Sequence, residues 1–390
     1  MTWHIIHIIE IILWIFIAGS VGYVMLFALM SLFRKKKLKT DENTNSTHSR
    51  FAVIYPAYNE DSVIRNSIDI FLHQDYPTSL FHLVVVSDHM QPSTNEWLAS
   101  RPLQLLQPTF ENSSKAKALQ HAIKQLECLD FSHIVILDAD NVVAPDFLTK
   151  LDTVCQQGYK AIQCHRTAKN SDNDISALDG LSEEINNTIF RLAHNTIGLS
   201  SALIGSGMCF DASWFRAHVD ALSSAVEDRE LEALLLKEKV YVHYAEDIFV
   251  MDEKVSNKDN FQRQRLRWMT GQVQSFLSML PYLPKALITM NINYIDKTIQ
   301  QMLLPRSILL LLLPLLSVIM TFVHWPWSIK WWCLFVLFFI SLFLAIPTKM
   351  RNSRLFTSVV SLPVLAFSMM KNLFRIRTSD KRFIHTSHEK

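Results

Sequence analysis

Two aspartates, Asp138 and Asp140, stand one residue apart at the end of an apolar run, His133-Ile134-Val135-Ile136-Leu137. The run is mostly β-branched and has no polar break, the pattern of a strand buried on both faces of a parallel sheet. In an open α/β sheet, ligands bind just beyond the carboxyl ends of the strands. Side chains at i and i+2 of an extended segment point the same way, so the two carboxylates are expected to face one cleft. Converging carboxylates repel unless a cation lies between them. Mg²⁺ typically takes one or two carboxylates and completes its shell with substrate phosphates. The spacing therefore points to a divalent metal holding a diphosphate. The plainer alternative is a solvated turn, where Asp and Asn are common.

Other polar groups fall at comparable places. Pro56-Ala57-Tyr58-Asn59-Glu60 follows the apolar Phe51-Ala52-Val53-Ile54-Tyr55, and Ser87-Asp88 follows Leu83-Val84-Val85-Val86. Lys115 opens a helical pattern after the polar loop Glu111-Asn112-Ser113-Ser114. If the sheet is doubly wound, these residues reach one rim, and carboxylates, a lysine, an aromatic and helix N-termini suit a nucleotide with a metal-bound diphosphate. The chain has no Walker A lysine motif and no GxGxxG after a strand, which disfavours a P-loop NTPase and a dinucleotide-dependent oxidoreductase. Gly205-Ser206-Gly207 either lets backbone approach a ligand or forms a turn between core elements. Glu227-Asp228 precedes an apolar helical run over 231–236 and is either a helix cap or a catalytic pair. Arg263, Arg265 and Arg267 beside Trp268 are either an interfacial anchor or a bidentate grip on a diphosphate, with a sugar stacked on the indole.

The elements that must position these groups alternate strand and helix over about 50–271, which implies parallel pairing with helices on both faces. Strands are expected over 51–55, ending at Pro56, and over 83–86, with helices over 63–72 and 115–126. Of the 390 residues, 49% are hydrophobic and 19% charged, and the apolar excess lies at the two ends. The formal net charge of +2 gives no bias toward nucleic acid. Five scattered cysteines without a CxxC pair indicate neither a zinc site nor a disulfide framework, and fit reduced thiols in a cytosolic domain.

Residues 5–33 are long and apolar enough to span a membrane. Arg34-Lys35-Lys36-Lys37-Leu38-Lys39 then places the following chain in the cytoplasm by the positive-inside rule. The basic cluster follows the apolar run instead of preceding it, so an uncleaved anchor is expected and not a signal peptide. The divisions are an anchor over 1–34, a basic and polar linker over 35–49, a catalytic domain over 50–272, an interfacial helix region over 273–300, two transmembrane helices over 301–347, and a re-entrant or interfacial segment with a basic cytoplasmic tail over 348–390. Trp325, Trp327, Trp331 and Trp332 look like an interfacial aromatic belt. This layout implies a multi-pass protein of the cell inner (plasma) membrane.

In order, Pro-Ala-Tyr-Asn-Glu, a strand-end Asp, a Lys before Ala and Leu-Gln, Asp-Ala-Asp, Gly-Ser-Gly, Glu-Asp and Gln264-x-x-Arg267-Trp268 resemble family-2 glycosyltransferases, most of all the membrane-integrated branch with cellulose, chitin, hyaluronan and poly-N-acetylglucosamine synthases. The resemblance implies a GT-A fold, Rossmann-like with a mostly parallel sheet, and a nucleotide-diphosphate sugar donor, UDP-linked by analogy. It implies that Ala57, Tyr58, Glu60 and Asp88 meet the nucleotide, with Asp88 at the uracil. Asp138 and Asp140 would hold diphosphate and Mg²⁺ or Mn²⁺. Lys115, Gly205, Ser206 and Gly207 would line the substrate, Asp228 beside Glu227 would be the general base, and Gln264, Arg267 and Trp268 would bind diphosphate and acceptor sugar. The implied acceptor is a glycan, with transfer of one sugar to a lipid-linked acceptor as the alternative and a partner subunit as a possible addition to the channel. A non-catalytic nucleotide-sugar-binding scaffold is the remote alternative. The chain departs from the family where Ser87-Asp88-His89-Met90 replaces the usual Asp-Asp-Gly-Ser, and where Ser114 precedes the lysine in place of glycine. Its C-terminal membrane region is small for a polysaccharide channel, and the ending Phe383-Ile384-His385-Thr386-Ser387-His388 is like that of related bacterial members.

Overall fold

The computed structural model describes residues 2–33, 48–170, 174–224, 226–254 and 258–351. The basic cluster at 34–39, most of the polar linker, the segment 355–370 and the tail lie outside the described residues. Among the described residues, eight strands form one sheet: β1 (Phe51–Tyr58), β2 (Phe81–Asp88), β3 (Gln104–Leu106), β4 (His133–Ile136), β5 (Val142–Val143), β6 (Ala161–Ala168), β7 (Met208–Asp211) and β8 (Val242–Asp252), in the order β3-β2-β1-β4-β7-β6-β8-β5. β3, β2, β1 and β4 are parallel, as the alternating pattern implies. β7 runs antiparallel to both β4 and β6, so the sheet is mixed.

Alternate residues of β1 serve opposite faces. Val53 and Tyr55 pack with Ile64, Ile68 and Phe147, whereas Ala52 and Ile54 pack with Leu119, Ala122 and Phe215. Burial on both faces explains the unbroken apolar runs, and a slip of one residue would exchange the two sets. β1 does not end at Pro56. The Ile54 carbonyl accepts from Leu137 N–H at 3.1 Å, so residue 56 also faces β4. β4 has already ended at Ile136, opposite Ile54. The N–H that proline lacks therefore has no ladder partner to lose.

The helix carrying Gln264, Arg267 and Trp268 runs from Lys258 to Met279. The division expected at 272 thus falls inside one continuous helix. It gives way at Pro281, through a 3₁₀ turn, to Leu283–Ile288 and then Ile292–Met302. This last helix inverts the usual amphipathic arrangement. Tyr294, Lys297, Thr298, Gln300 and Gln301 are buried against the domain, while Ile292, Ile299 and Met302 point outward. Leu287, Ile288 and Met290 extend the exposed apolar row, Ile288 being 84% exposed.

Among the described residues, three helices are long and apolar enough to cross a membrane: Trp3–Met30, Arg306–Val323 and Trp325–Ala345. They pack on one another through Ile17, Val21, Leu309, Leu313, Trp331 and Phe338. Val24, Phe27 and Ala345 join Leu181, Ile185 and Phe261, which seats the α/β domain on one end of the bundle. Glu10 in the first span is buried, and its carboxylate accepts from Lys330 Nζ at 2.8 Å and Trp331 Nε1 at 2.7 Å. A carboxylate facing lipid without partners is strongly unfavourable, so this contact ties the first span to the last. Lys330→Met alone should lower the melting temperature in detergent more than the Glu10→Gln/Lys330→Met double substitution, because single removal strands a buried charge. Equal losses would show that the pair carries no coupling.

Candidate active site

β4 ends at Ile136 and the chain turns at once, with Asn141 N–H donating to the Asp138 carbonyl at 3.0 Å. Asp138 and Asp140 therefore sit in a turn, and the extended i, i+2 geometry expected for them does not occur. Asn141 organises the turn. Its side-chain oxygen accepts from Asp138 N–H at 2.9 Å and from the Ser206 hydroxyl, and its amide donates to Asp140 Oδ1 at 3.0 Å. Asp140 Oδ2 accepts from Glu253 N–H at 2.9 Å, beyond the end of β8. The two carboxylates are held by different partners at one rim of the sheet.

Lys115 begins a helix that Ser114 caps by accepting from Lys117 N–H at 3.2 Å. Its ammonium donates to Asp138 and, at 2.6 Å, to the Gly205 carbonyl, and it lies 3.5 Å from Glu227 Oε1. Burial works against the charge of Lys115, but Asp138 and Glu227 outweigh it and raise the pKa above the ordinary value. Gly205 has φ +83°, and a Cβ placed there would lie 3.6 Å from Asp228 Oδ2 and 3.8 Å from Glu227 Oε1. Both the left-handed backbone and the nearness of the acidic pair call for glycine. Gly207, at φ +63°, would press a Cβ to 3.0 Å from Val250 Cγ2.

Glu227 and Asp228 open the helix Glu227–Lys237. Glu227 is 7% exposed. Burial pushes its carboxyl up to about 7, with Asp228 and Asp138 adding to the rise and Lys115 opposing it. Burial lowers the Arg267 guanidinium below its ordinary value, while Glu227, Asp138 and Asp228 act on it in the opposite sense. The same three acids thus act on Lys115 and on Arg267, which places the Asp-x-Asp turn, the acidic helix start and the Lys258–Met279 helix around one centre. Asp228 Oδ2 borders Gly205, whose carbonyl accepts from the same Lys115 ammonium that meets Asp138.

Arg263, Arg265 and Arg267 do not act as a set. Arg263 is exposed, and Arg265 bonds Asp179 and lies over the Trp268 ring at 4.7 Å. One face of the indole is therefore already covered. Gln264 lies one turn before Arg267 and Trp268, and its Oε1 is buried without a hydrogen-bond partner among the described residues. At the other end of the rim, Tyr58 is level with Asp88 in the β1–β2 register, and Glu60 N–H donates to Met90 Sδ at 3.1 Å. Ala57 turns its methyl into the apolar core, so only its backbone can meet a ligand.

The family described as "Glycosyltransferase like family 2" matches residues 48–271, more than half the chain. The chain belongs to the family-2 glycosyltransferases. No protein with a curated description matches it. The fold of this glycosyltransferase is similar to that of the mannosyltransferase PcManGT from Pyrobaculum calidifontis, solved with GDP-Man and Mn²⁺, at TM-score 0.55 and 18% identity over 94% of this chain and 99% of that one. S. aureus TarS 1–349 matches at TM-score 0.42 and 13% identity over 84% of this chain and 92% of that one. The same fragment with UDP-GlcNAc matches at TM-score 0.38 and 13% identity, over 57% and 66%.

Several residues that shape the centre of this glycosyltransferase escape a reading of its sequence. Gln163 is buried, donates to the Ser206 carbonyl at 2.8 Å and accepts from Ile204 N–H at 3.0 Å, so it fixes the Gly-Ser-Gly loop from the middle of β6. Gly271, one turn beyond Arg267, lets its helix approach the acidic pair: a Cβ there would lie 2.5 Å from Val226 Cγ1. The sole signal for Gly271 was a glycine inside a helical pattern.

Two outcomes follow for the glycosyltransferase. The folded pKa of Glu227, about 7, lies above the ordinary 4.5. Across that window the folded state binds more protons than the unfolded state, so this group lowers stability as pH rises. Glu227→Gln should raise the melting temperature relative to the parent by an amount that grows from near zero at pH 5 to about 5 °C at pH 8. A difference independent of pH would contradict the assignment. Gly271→Ala should reduce sugar transfer about tenfold by displacing the helix against Val226, and Val226→Ala should restore most of it. Failure of the second change to rescue the first would remove this contact from the account.

Proposed function

We propose that the protein is an inverting, polysaccharide-synthase-like membrane glycosyltransferase that moves a sugar from a UDP-linked donor to a glycan acceptor. The observation that carries this reading is the gathering of Asp138, Lys115, Glu227–Asp228 and Arg267 from separate chain segments around one centre. Asp228 accepts the proton of the acceptor hydroxyl as that oxygen attacks the anomeric carbon. The C–O bond to the diphosphate breaks on the opposite face, which inverts the centre. Glu227, held against Lys115, keeps the helix start beside the Gly205 loop. Arg267 and Lys115 are the cations facing the negative charge that develops on the departing diphosphate. Trp268 offers the indole face away from Arg265 to the acceptor sugar, and the unpartnered Gln264 Oε1 offers an acceptor for a sugar hydroxyl.

Among the described residues, no three His, Cys, Asp or Glu side chains gather to cage a metal. A hard cation that takes one or two carboxylates and fills its shell with substrate oxygens fits such a donor set. Asp138 and Asp140 would hold Mg²⁺ or Mn²⁺, which would neutralise charge on the diphosphate. The likeness to a mannosyltransferase solved with GDP-Man and Mn²⁺ supports this choice.

The outward apolar row from Leu287 to Met302 meets membrane lipid in this reading, with the buried polar side of Ile292–Met302 turned to the domain. Three spans among the described residues form a small bundle, which favours a second reading, transfer of one sugar to a lipid-linked acceptor.

The test uses full-length protein in nanodiscs with labelled UDP-sugars. Transfer should occur with at least one donor, and Asp228→Asn should reduce it at least about 10³-fold while nucleotide binding persists. A polymer ladder supports the synthase, and a single organic-soluble glycolipid supports the second reading. Parental rates in Asp228→Asn would contradict the mechanism.

A further inference from the structure

His89 stands where the family pattern has glycine, and it keeps the backbone of a glycine, with φ +56°. Left-handed backbone is unfavourable for a residue with a β-carbon. Its imidazole takes a defined place. Nδ1 lies 2.6 Å from Asp88 Oδ1, and because a carboxylate can only accept, Nδ1 carries the proton and donates it. Asp88 is buried at the end of β2, and the His89 side chain is 53% exposed. The His89 ring lies 5.4 Å from the Tyr58 ring, tilted by 58°. Among the described residues, no other side chain bonds Asp88. Oδ1 therefore already accepts one hydrogen bond and has the imidazole beside it, while Oδ2 accepts from no described side chain.

We infer that His89 selects the base of the donor nucleotide, in favour of uracil and against guanine. The inference rests on the reading that Asp88 meets the nucleobase. A carboxylate with two open oxygens matches guanine, whose N1–H and 2-amino group are adjacent donors. A carboxylate with one open oxygen matches uracil, whose N3–H is a single donor between two carbonyls. By holding Oδ1, the imidazole converts the first kind of site into the second. Guanine in this pocket brings its 2-amino group to Oδ1 where the imidazole already stands, and a crowded, poorly paired donor at a buried site discriminates against it. Tyr58 and the exposed part of the His89 ring supply the walls.

The experiment measures binding of UDP, GDP and IDP by calorimetry, with Mg²⁺, to the full-length chain in nanodiscs. Inosine keeps the N1–H of guanine and lacks the 2-amino group. The parent should bind UDP at least about tenfold tighter than GDP. His89→Gly removes the imidazole and suits the left-handed backbone, so folding is not at risk. In this variant GDP should gain about tenfold while UDP and IDP change less than about threefold. An unchanged ratio of UDP to GDP affinity in the variant would overturn the inference, as would equal gains for GDP and IDP or a parent that prefers GDP. Failure of every nucleotide to bind would instead reject the nucleotide-sugar reading beneath it.

Discussion

One ammonium group holds the centre together. Lys115 touches Asp138 at the end of β4, the Gly205 carbonyl in the loop before β7, and Glu227 at the start of the acidic helix. Three segments that are remote in the chain converge on it. Without that cation, Asp138, Glu227 and Asp228 would repel at close range in a poorly solvated cleft. Arg267, itself half-buried, adds a second positive charge from the helix Lys258–Met279. Glycine at 205 and 271 lets backbone and helix come near enough for these charges to meet.

The parts of this arrangement written locally were legible in the sequence. Apolar β-branched runs marked β1, β2 and β4, and the polar residues just after them lie at the rim because strand ends in an α/β sheet face the cleft. The helix opened by Lys115 was visible from its periodicity and the polar loop before it. The parts set by tertiary contacts were not. The reversed direction of β7 depends on pairing with β4 and β6, and Met208-Cys209-Phe210-Asp211 is too short to declare it. Asn141 closes the Asp-x-Asp turn through Ser206, which is 65 residues away. Pro56 stays in a strand because its neighbour has already ended, a matter of relative strand length.

The bundle of apolar helices obeys the same logic. Glu10 is tolerated in an apolar span because Lys330 and Trp331 satisfy it. Ile292–Met302 turns its polar residues inward, where Lys297 meets Glu232 at 2.7 Å and Gln301 meets Arg229, both on the helix begun by Glu227 and Asp228. The elements at the foot of the spans and the acidic helix are thus bonded to each other, so the seating of the domain on the bundle and the position of Asp228 share contacts.

The central claim is that the rim around Lys115 and Asp138 receives a metal-bound nucleoside diphosphate. Mn²⁺ electron–nuclear double resonance on the full-length protein with UDP tests it most directly. The account predicts phosphorus-31 coupling from diphosphate directly bound to protein-held Mn²⁺, lost in Asp138→Asn with Asp140→Asn. The same coupled signal in the double variant, or Mn²⁺ that stays fully hydrated with UDP present, would contradict it.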